Sequence, residues 1–171
     1  NGKGYHAALI DTTGGEIPEE ALPPRLASEV AYLQIRDLVA EMSAAFAARD
    51  SNRYLAAFRT DGSLRQRQSR FFLDSLRAPV EDIQFELPPN QTFDITPEGT
   101  IADLYLRFRY TIDGIAKDNS FVAVVKASFA RKPNSQGWFI THFAMVSRIP
   151  FWELGYNSKR ETEHFIILFP T

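Results

Sequence analysis

The sequence contains no cysteine. That absence removes disulfide bridges, thiolate catalysis and cysteine-ligated zinc from consideration. The histidines His6, His142 and His164 lie far apart without ligand spacing, so no metal is expected. Neither sign of charge prevails: 19 Lys and Arg stand against 21 Asp and Glu, which gives no general attraction for a polyanion and argues against nucleic acid as a partner. No apolar run approaches the roughly 20 residues of a bilayer-spanning helix, so this segment is not expected to insert into a membrane. Residues 1–24 read as an irregular leader, broken by Gly14-Gly15 and by Pro18, Pro23 and Pro24, with no apolar core of a signal peptide. Gly14-Gly15 also lacks the strand–turn–helix setting of a phosphate loop. Lack of cysteine suits an exported or surface-anchored bacterial protein and many cytosolic ones too, so the compartment stays open, with export the favoured expectation.

Aromatic residues are plentiful. Fourteen Phe stand beside six Tyr and two Trp, enough to fill the core of one domain, each worth about 1.5–3 kcal/mol when fully buried. The length of 171 residues fits one such domain, placed at residues 25–149, followed by a tail at 150–171.

The apolar period is helical first. Ala31, Ile35, Leu38, Met42, Ala45 and Phe46 recur at three- and four-residue steps and predict a helix over 25–49. Asp50-Ser51 supplies capping chemistry for a short second helix through Tyr54, Leu55 and Phe58. Leu64, Gln68, Phe71, Phe72 and Leu76 predict a third, with Arg65, Arg67, Arg70 and Arg77 on its solvated side.

After Pro79 the period falls to two. Ile83, Phe85 and Leu87 predict a half-buried strand, and Thr92, Phe93 and Ile95 a short one. The longest strand spans 101–113, with Leu104, Leu106, Phe108, Tyr110 and Ile112 on one face and Asp103, Tyr105, Arg107, Arg109 and Thr111 on the other. Phe121 to Phe129 continues the alternation. Residues 138–149 are apolar on both faces and are expected to form a central or doubly covered strand. Residues 150–163 read as irregular, and 165–169 as a terminal apolar strand. The fold class expected is therefore α+β, with N-terminal helices packed in a curled antiparallel sheet.

A helical pair over Leu38–Phe58 followed by strands carrying Leu104–Ile112, Phe121–Phe129 and Trp138–Val146 resembles the nuclear transport factor 2-like, or polyketide-cyclase-like, cone. The resemblance covers roughly residues 28–149 and is one of pattern, without a signature motif. It departs from the family in placing three helices before all the main strands. It implies a sheet curled round the helices with a cavity at its open end, in a family that includes isomerases, cyclases and dehydratases as well as non-catalytic binding modules. Residues 161–169 resemble the short opening strand of gluzincin-type metallopeptidase domains, which can follow a helper domain in bacterial exported proteins. No His-Glu-x-x-His occurs, so any such chemistry lies beyond Thr171. A plain terminal strand capping the domain's own sheet is the alternative.

Setting Asp113 opposite Ser120 pairs Leu104 with Phe129, Phe108 with Val125 and Arg107 with Lys126. Setting Arg131 opposite Trp138 places His142 opposite Ala127, facing the helices, where Ala123, Ala127 and Ala144 leave room. His142 is then the candidate acid or base of a pocket walled by Tyr54, Phe58 and Trp138. No carboxylate joins it within the alternation, which weakens the case for an enzyme; the bland alternative is a core histidine. On the other face Tyr105, Arg107, Arg109 and Lys126 form a basic, partly aromatic stripe that Phe139, Phe143 and Met145 continue as apolar surface, suited to docking a protein. The reading that follows is a non-catalytic binding or interaction domain, a helper module of a larger bacterial exported or surface protein. Its partner is a protein or adjacent domain, with homodimerisation open and no cofactor expected. The alternative is a small-molecule carrier or enzyme using His142.

Overall fold

A computed structural model describes residues 24–153, apart from 61, 115–119, 134 and 136, together with the strand backbones at 156–161 and 166–170. Helix α1 (Pro24–Ala47) opens on a proline, which suits the first helical position because no intrahelical partner awaits its missing N–H. Its buried stripe is Ala31, Ile35, Val39, Met42, Ala45 and Phe46. The helix ends in a Schellman turn: Asp50 N bonds to Ala45 O at 2.9 Å and Arg49 N to Phe46 O at 3.0 Å, with Arg49 at φ 54°. Asp50 then caps α2 (Ser51–Leu55), its Oδ1 accepting from Arg53 N at 3.0 Å. Helix α3 (Ser63–Arg77) starts from Gly62, whose φ 84°, ψ −167° is a conformation open essentially to glycine alone.

Four antiparallel strands follow in sequential order, β1 (Val80–Glu86), β2 (Thr100–Ile112), β3 (Phe121–Arg131) and β4 (Trp138–Ser147). The class is α+β, helices first and a curled antiparallel sheet after. Bulges accompany the curl. Ala102 and Asp103 on β2 oppose the single residue Ser128, and on the other side of Ser128 the extra residue Thr141 interrupts β4. Two bulges on either flank of one β3 residue bend the sheet along that line. Asp82 and Ile83 bulge against Tyr110 at the β1 edge, and Val146 is an extra residue near the end of β4.

Aromatic side chains pack the core between α2, α3 and the sheet. Tyr54, Phe58, Phe72, Phe108 and Phe129 are fully buried, and Phe46 meets Tyr54 edge-on at 4.9 Å. Tyr54 stacks on Phe72 at 5.1 Å, and Phe85 lies 4.9 Å from Phe108. Aromatic rings interlocked in this way contribute beyond their buried area.

Four expectations need correction. The β2–β3 register sums to 231 at Phe108↔Ala123 and Leu106↔Val125, two residues from the pairing set by Asp113 and Ser120; an even offset keeps every side chain on its face. No strand forms at 92–95, because the carboxamide of Gln91 takes the place of one: it accepts from Tyr105 N at 2.9 Å and donates to Tyr105 O at 2.8 Å. Strand β4 lies at the sheet's edge and not its centre. The N–H and C=O of Ile140 are instead covered by the backbone after α2, through bonds to Ala57 O (2.8 Å) and from Arg59 N (3.1 Å). Finally, residues 156–161 are a strand, β5 (Tyr156–Glu161), and β6 (Ile166–Pro170) pairs with it as a separate two-stranded sheet instead of joining the main one. Residues 1–23 of the leader with His6, the turn at 115–119, and residues 162–165 of the gluzincin-like stretch with His164 lie outside the described residues, while Pro24, read as leader, is the first residue of α1.

Candidate functional site

The outer face of the sheet is laid out in cross-strand rows. Gln84, Arg109 and Val122 form one; Glu86, Arg107, Val124 and Ser147 the next; then Tyr105, Lys126 and Ala144; then Ser128 and His142; and last Ala130 with Phe139. Four of the residues expected on this face, Tyr105, Arg107, Arg109 and Lys126, therefore stand together on it. Tyr105 is 47% exposed, well beyond what a core ring would show.

The face carries its own counter-charges. Glu86 Oε2 lies 3.9 Å from both the Arg107 and Arg109 guanidinium groups, so two cations share one carboxylate. Lys126 Nζ contacts Asp103 Oδ1 at 2.9 Å, and that hydrogen bond holds the ammonium's pKa above its ordinary value. The bulge puts this carboxylate within reach, since Asp103 adopts φ 62° at the extra position of β2. Such exposed pairs add little stability, but they fix where charge sits on a surface.

Placement differs from expectation at four successive residues, His142 to Met145. His142 lies opposite Ser128 on the outer face and is exposed, whereas Phe143 lies opposite Ala127 in the interior at 7% exposure. Ala144 lies outward opposite Lys126, where room for a pocket was expected, and Met145 lies inward opposite Val125 instead of continuing the outer apolar surface. The cause is Thr141. It has no cross-strand partner, its Oγ1 donates to Ser128 O at 3.2 Å, and the residues from His142 to Met145 shift by one. Phe143 then packs edge-on to Phe58 (5.6 Å) and Phe85 (6.0 Å). Phe139 remains on the outer face, half-buried beside Ala130.

The other residues named as pocket walls are structural members of the core. The Tyr54 hydroxyl donates to Gln68 Oε1 at 2.7 Å, and burial raises its pKa well above the ordinary tyrosine value, with Glu153 adding to the shift. Trp138 Nε1 donates to Gln34 Oε1 at 2.7 Å, and Arg131 sits 5.2 Å over its ring. Space in the molecule lies elsewhere. A cleft of about 630 Å³ runs between Ala40, Ser43 and Ala44 of α1 and the β1 edge, where Ser43 Oγ accepts from Phe85 N and donates to Phe85 O. A second, of about 580 Å³, lies between Tyr32 and Phe93. His142 lines neither. The small-molecule reading thus has no acid or base at His142 facing the interior.

Glu86 and Gln91 complete the outer face and were missed in the sequence, whereas alternation already places Asp103 on it without assigning it to the stripe. A signal existed for the bulges. Ile101 and Leu104, like Ile140 and Phe143, are apolar residues three apart with a polar residue between them, a spacing that places both inward only if an extra residue intervenes. Among the described residues no three His, Asp or Glu side chains converge as metal ligands, and no helix is long and apolar enough to cross a membrane. No family model, no curated protein and no solved structure matches this chain.

Proposed function

We propose that this chain is a non-catalytic interaction domain of the nuclear transport factor 2-like type, a helper module of a larger bacterial exported or surface protein. Its outer sheet face receives a protein surface that carries carboxylates beside apolar side chains. The observation that supports this reading is the composition of that face: three cations, Arg107, Arg109 and Lys126, stand against two carboxylates, Glu86 and Asp103, next to the exposed ring of Tyr105. The surplus positive charge favours an acidic partner and would speed its approach, while Tyr105, Val124 and Phe139 offer contact area. The packing of Tyr54, Phe58 and Trp138 into the core supports the same reading, because these residues do not form the walls of a pocket served by His142.

The test is site-specific photo-crosslinking in the natural full-length protein. A photoreactive residue at Tyr105 is expected to capture a discrete partner or neighbouring domain, and R107E with R109E to abolish the product. Equal capture from Gln66 on the exposed side of α3, or insensitivity to the arginine changes, would count against the proposal. Sedimentation of the pure chain at increasing concentration identifies the case in which the captured surface is a second copy.

A further inference from the structure

The chain leaves β4 through Arg148, at φ 50° in the left-handed region disfavoured for any residue with a Cβ. Pro150 follows, buried, and then one turn of 3-10 helix, Phe151–Glu153. This turn packs against α3 on one side. On the other, Trp152 meets Tyr110 edge-on at 4.8 Å and Phe108 at 6.2 Å, while Phe151 meets Trp152 at 4.9 Å. The two rings cover the end of the core where β2 finishes.

Three features oppose that docking. Arg148 is strained. Trp152 Nε1 is buried and has no hydrogen-bond partner, so docking strips its water without replacing it. Glu153 brings its carboxyl, partly withdrawn from water although the residue keeps an exposed flank, toward the carboxylate of Asp74 on α3. Arg70 on α3 offsets part of that repulsion, Arg77 of the same helix pairs with Asp74 at 3.8 Å, and the buried Tyr54 of α2 feels the Glu153 charge as well. Aromatic burial drives docking; strain, an orphaned N–H and like charge resist it.

We propose that residues 148–153 form a strap that alternates between a docked and a released state, and that protonation of Glu153 holds it docked over Phe108 and Tyr110. The direction follows from linkage. Desolvation first, then Asp74, raise the Glu153 pKa in the docked state, with Arg70 opposing. Docking therefore takes up protons: acid favours the docked strap, and a rise in pH through the raised pKa favours release. Release exposes an aromatic surface formed by Phe108, Tyr110 and the strap's own two rings.

The experiment uses the full chain, whose tryptophans are Trp138 and Trp152. Acrylamide quenching is followed from about pH 4 to about pH 8, a window around the ordinary carboxylate range. The wild type is expected to become more quenchable in a sigmoidal rise with pH. W152F is expected to show no such rise, which assigns it to Trp152. In E153Q quenching stays at the low-pH level throughout, and in D74N the rise is smaller and shifted to lower pH. Far-UV circular dichroism confirms that each variant is folded. A wild-type curve flat across the range would overturn the proposal, as would a rise in E153Q equal to that of the wild type.

Discussion

The hydroxyl of Tyr54 donates to the carboxamide oxygen of Gln68 across 2.7 Å, linking α2 to α3 inside a largely apolar core. Both residues are buried, so neither can turn to water if the other is removed. Tyr54→Phe should therefore cost about 1–3 kcal/mol by orphaning the Gln68 acceptor, and Gln68→Leu a similar amount by orphaning the phenol. The double variant should lose less than the sum of the two, since no buried group is then left without a partner. Urea unfolding of the four proteins measures the cycle; strict additivity would show that the bond contributes nothing of its own. Because burial raises the Tyr54 pKa, the unfolded chain ionises first as pH rises. Stability from this group is intact below the unfolded pKa of about 10 and declines as pH rises through the folded value. Tyr54→Phe should remove that part of the alkaline loss.

His142 and Phe143 offer a direct check on the bulge at Thr141. With Phe143 packed against Phe58 and Phe85, Phe143→Ala should cost about 3–5 kcal/mol. His142→Ala, on the exposed face, should stay within about 0.5 kcal/mol. The regular pairing begun by Arg131 and Trp138 would reverse this order, so denaturation midpoints of the two variants distinguish the two arrangements.

The same pair of residues shows where reading the sequence succeeds and where it stops. Periodicity locates α1, α3 and the long strands because each buries one face, and burial leaves its trace at every second or third residue. Alternation also places Tyr105, Arg107, Arg109 and Lys126 on one face, and the two-residue error in register does no harm there, because pairing partners change while faces do not. A bulge is different. Thr141 and Asp103 each add a single residue, and the one at Thr141 inverts the faces that follow it as far as Met145. Nothing in their own chemistry marks them, and the clue lies in the spacing of Ile101 to Leu104 and of Ile140 to Phe143. Edge protection was equally hidden. That Gln91 would satisfy Tyr105, and that the backbone at 57–59 would cover Ile140, depends on contacts between distant segments rather than on local pattern.

Arg49 marks a position where the sequence departs from what the backbone favours. It occupies the left-handed residue of the Schellman turn between α1 and α2, a place usually filled by glycine. Its side chain is exposed. Arg49→Gly should relieve roughly 1 kcal/mol of strain, less the entropy that glycine adds to the unfolded chain. A net gain in thermal midpoint is expected, whereas Arg49→Ala should give none, because alanine keeps the Cβ. Equal midpoints for Gly and Ala would mean that the turn is not under strain at this residue.

The clamp between Glu41 on α1 and Arg53 on α2 sets a pH dependence opposite in sign to that of Glu153. Arg53 Nη2 donates to Glu41 Oε2 at 2.8 Å and Nε reaches Oε1, and the guanidinium holds the Glu41 carboxyl below its ordinary range. A lowered folded pKa means stability that is present above the unfolded value and lost as pH falls through the folded one. Both side chains are about half exposed, so the effect is that of a solvated ion pair and should shrink further in high salt. Glu41→Gln removes the titrating group. The stability difference between wild type and this variant should therefore be largest near neutrality and vanish in acid below the Glu41 pKa. Urea midpoints taken in parallel at several pH values measure it, and a difference that persisted unchanged into strong acid would show that the two helices are joined by packing alone.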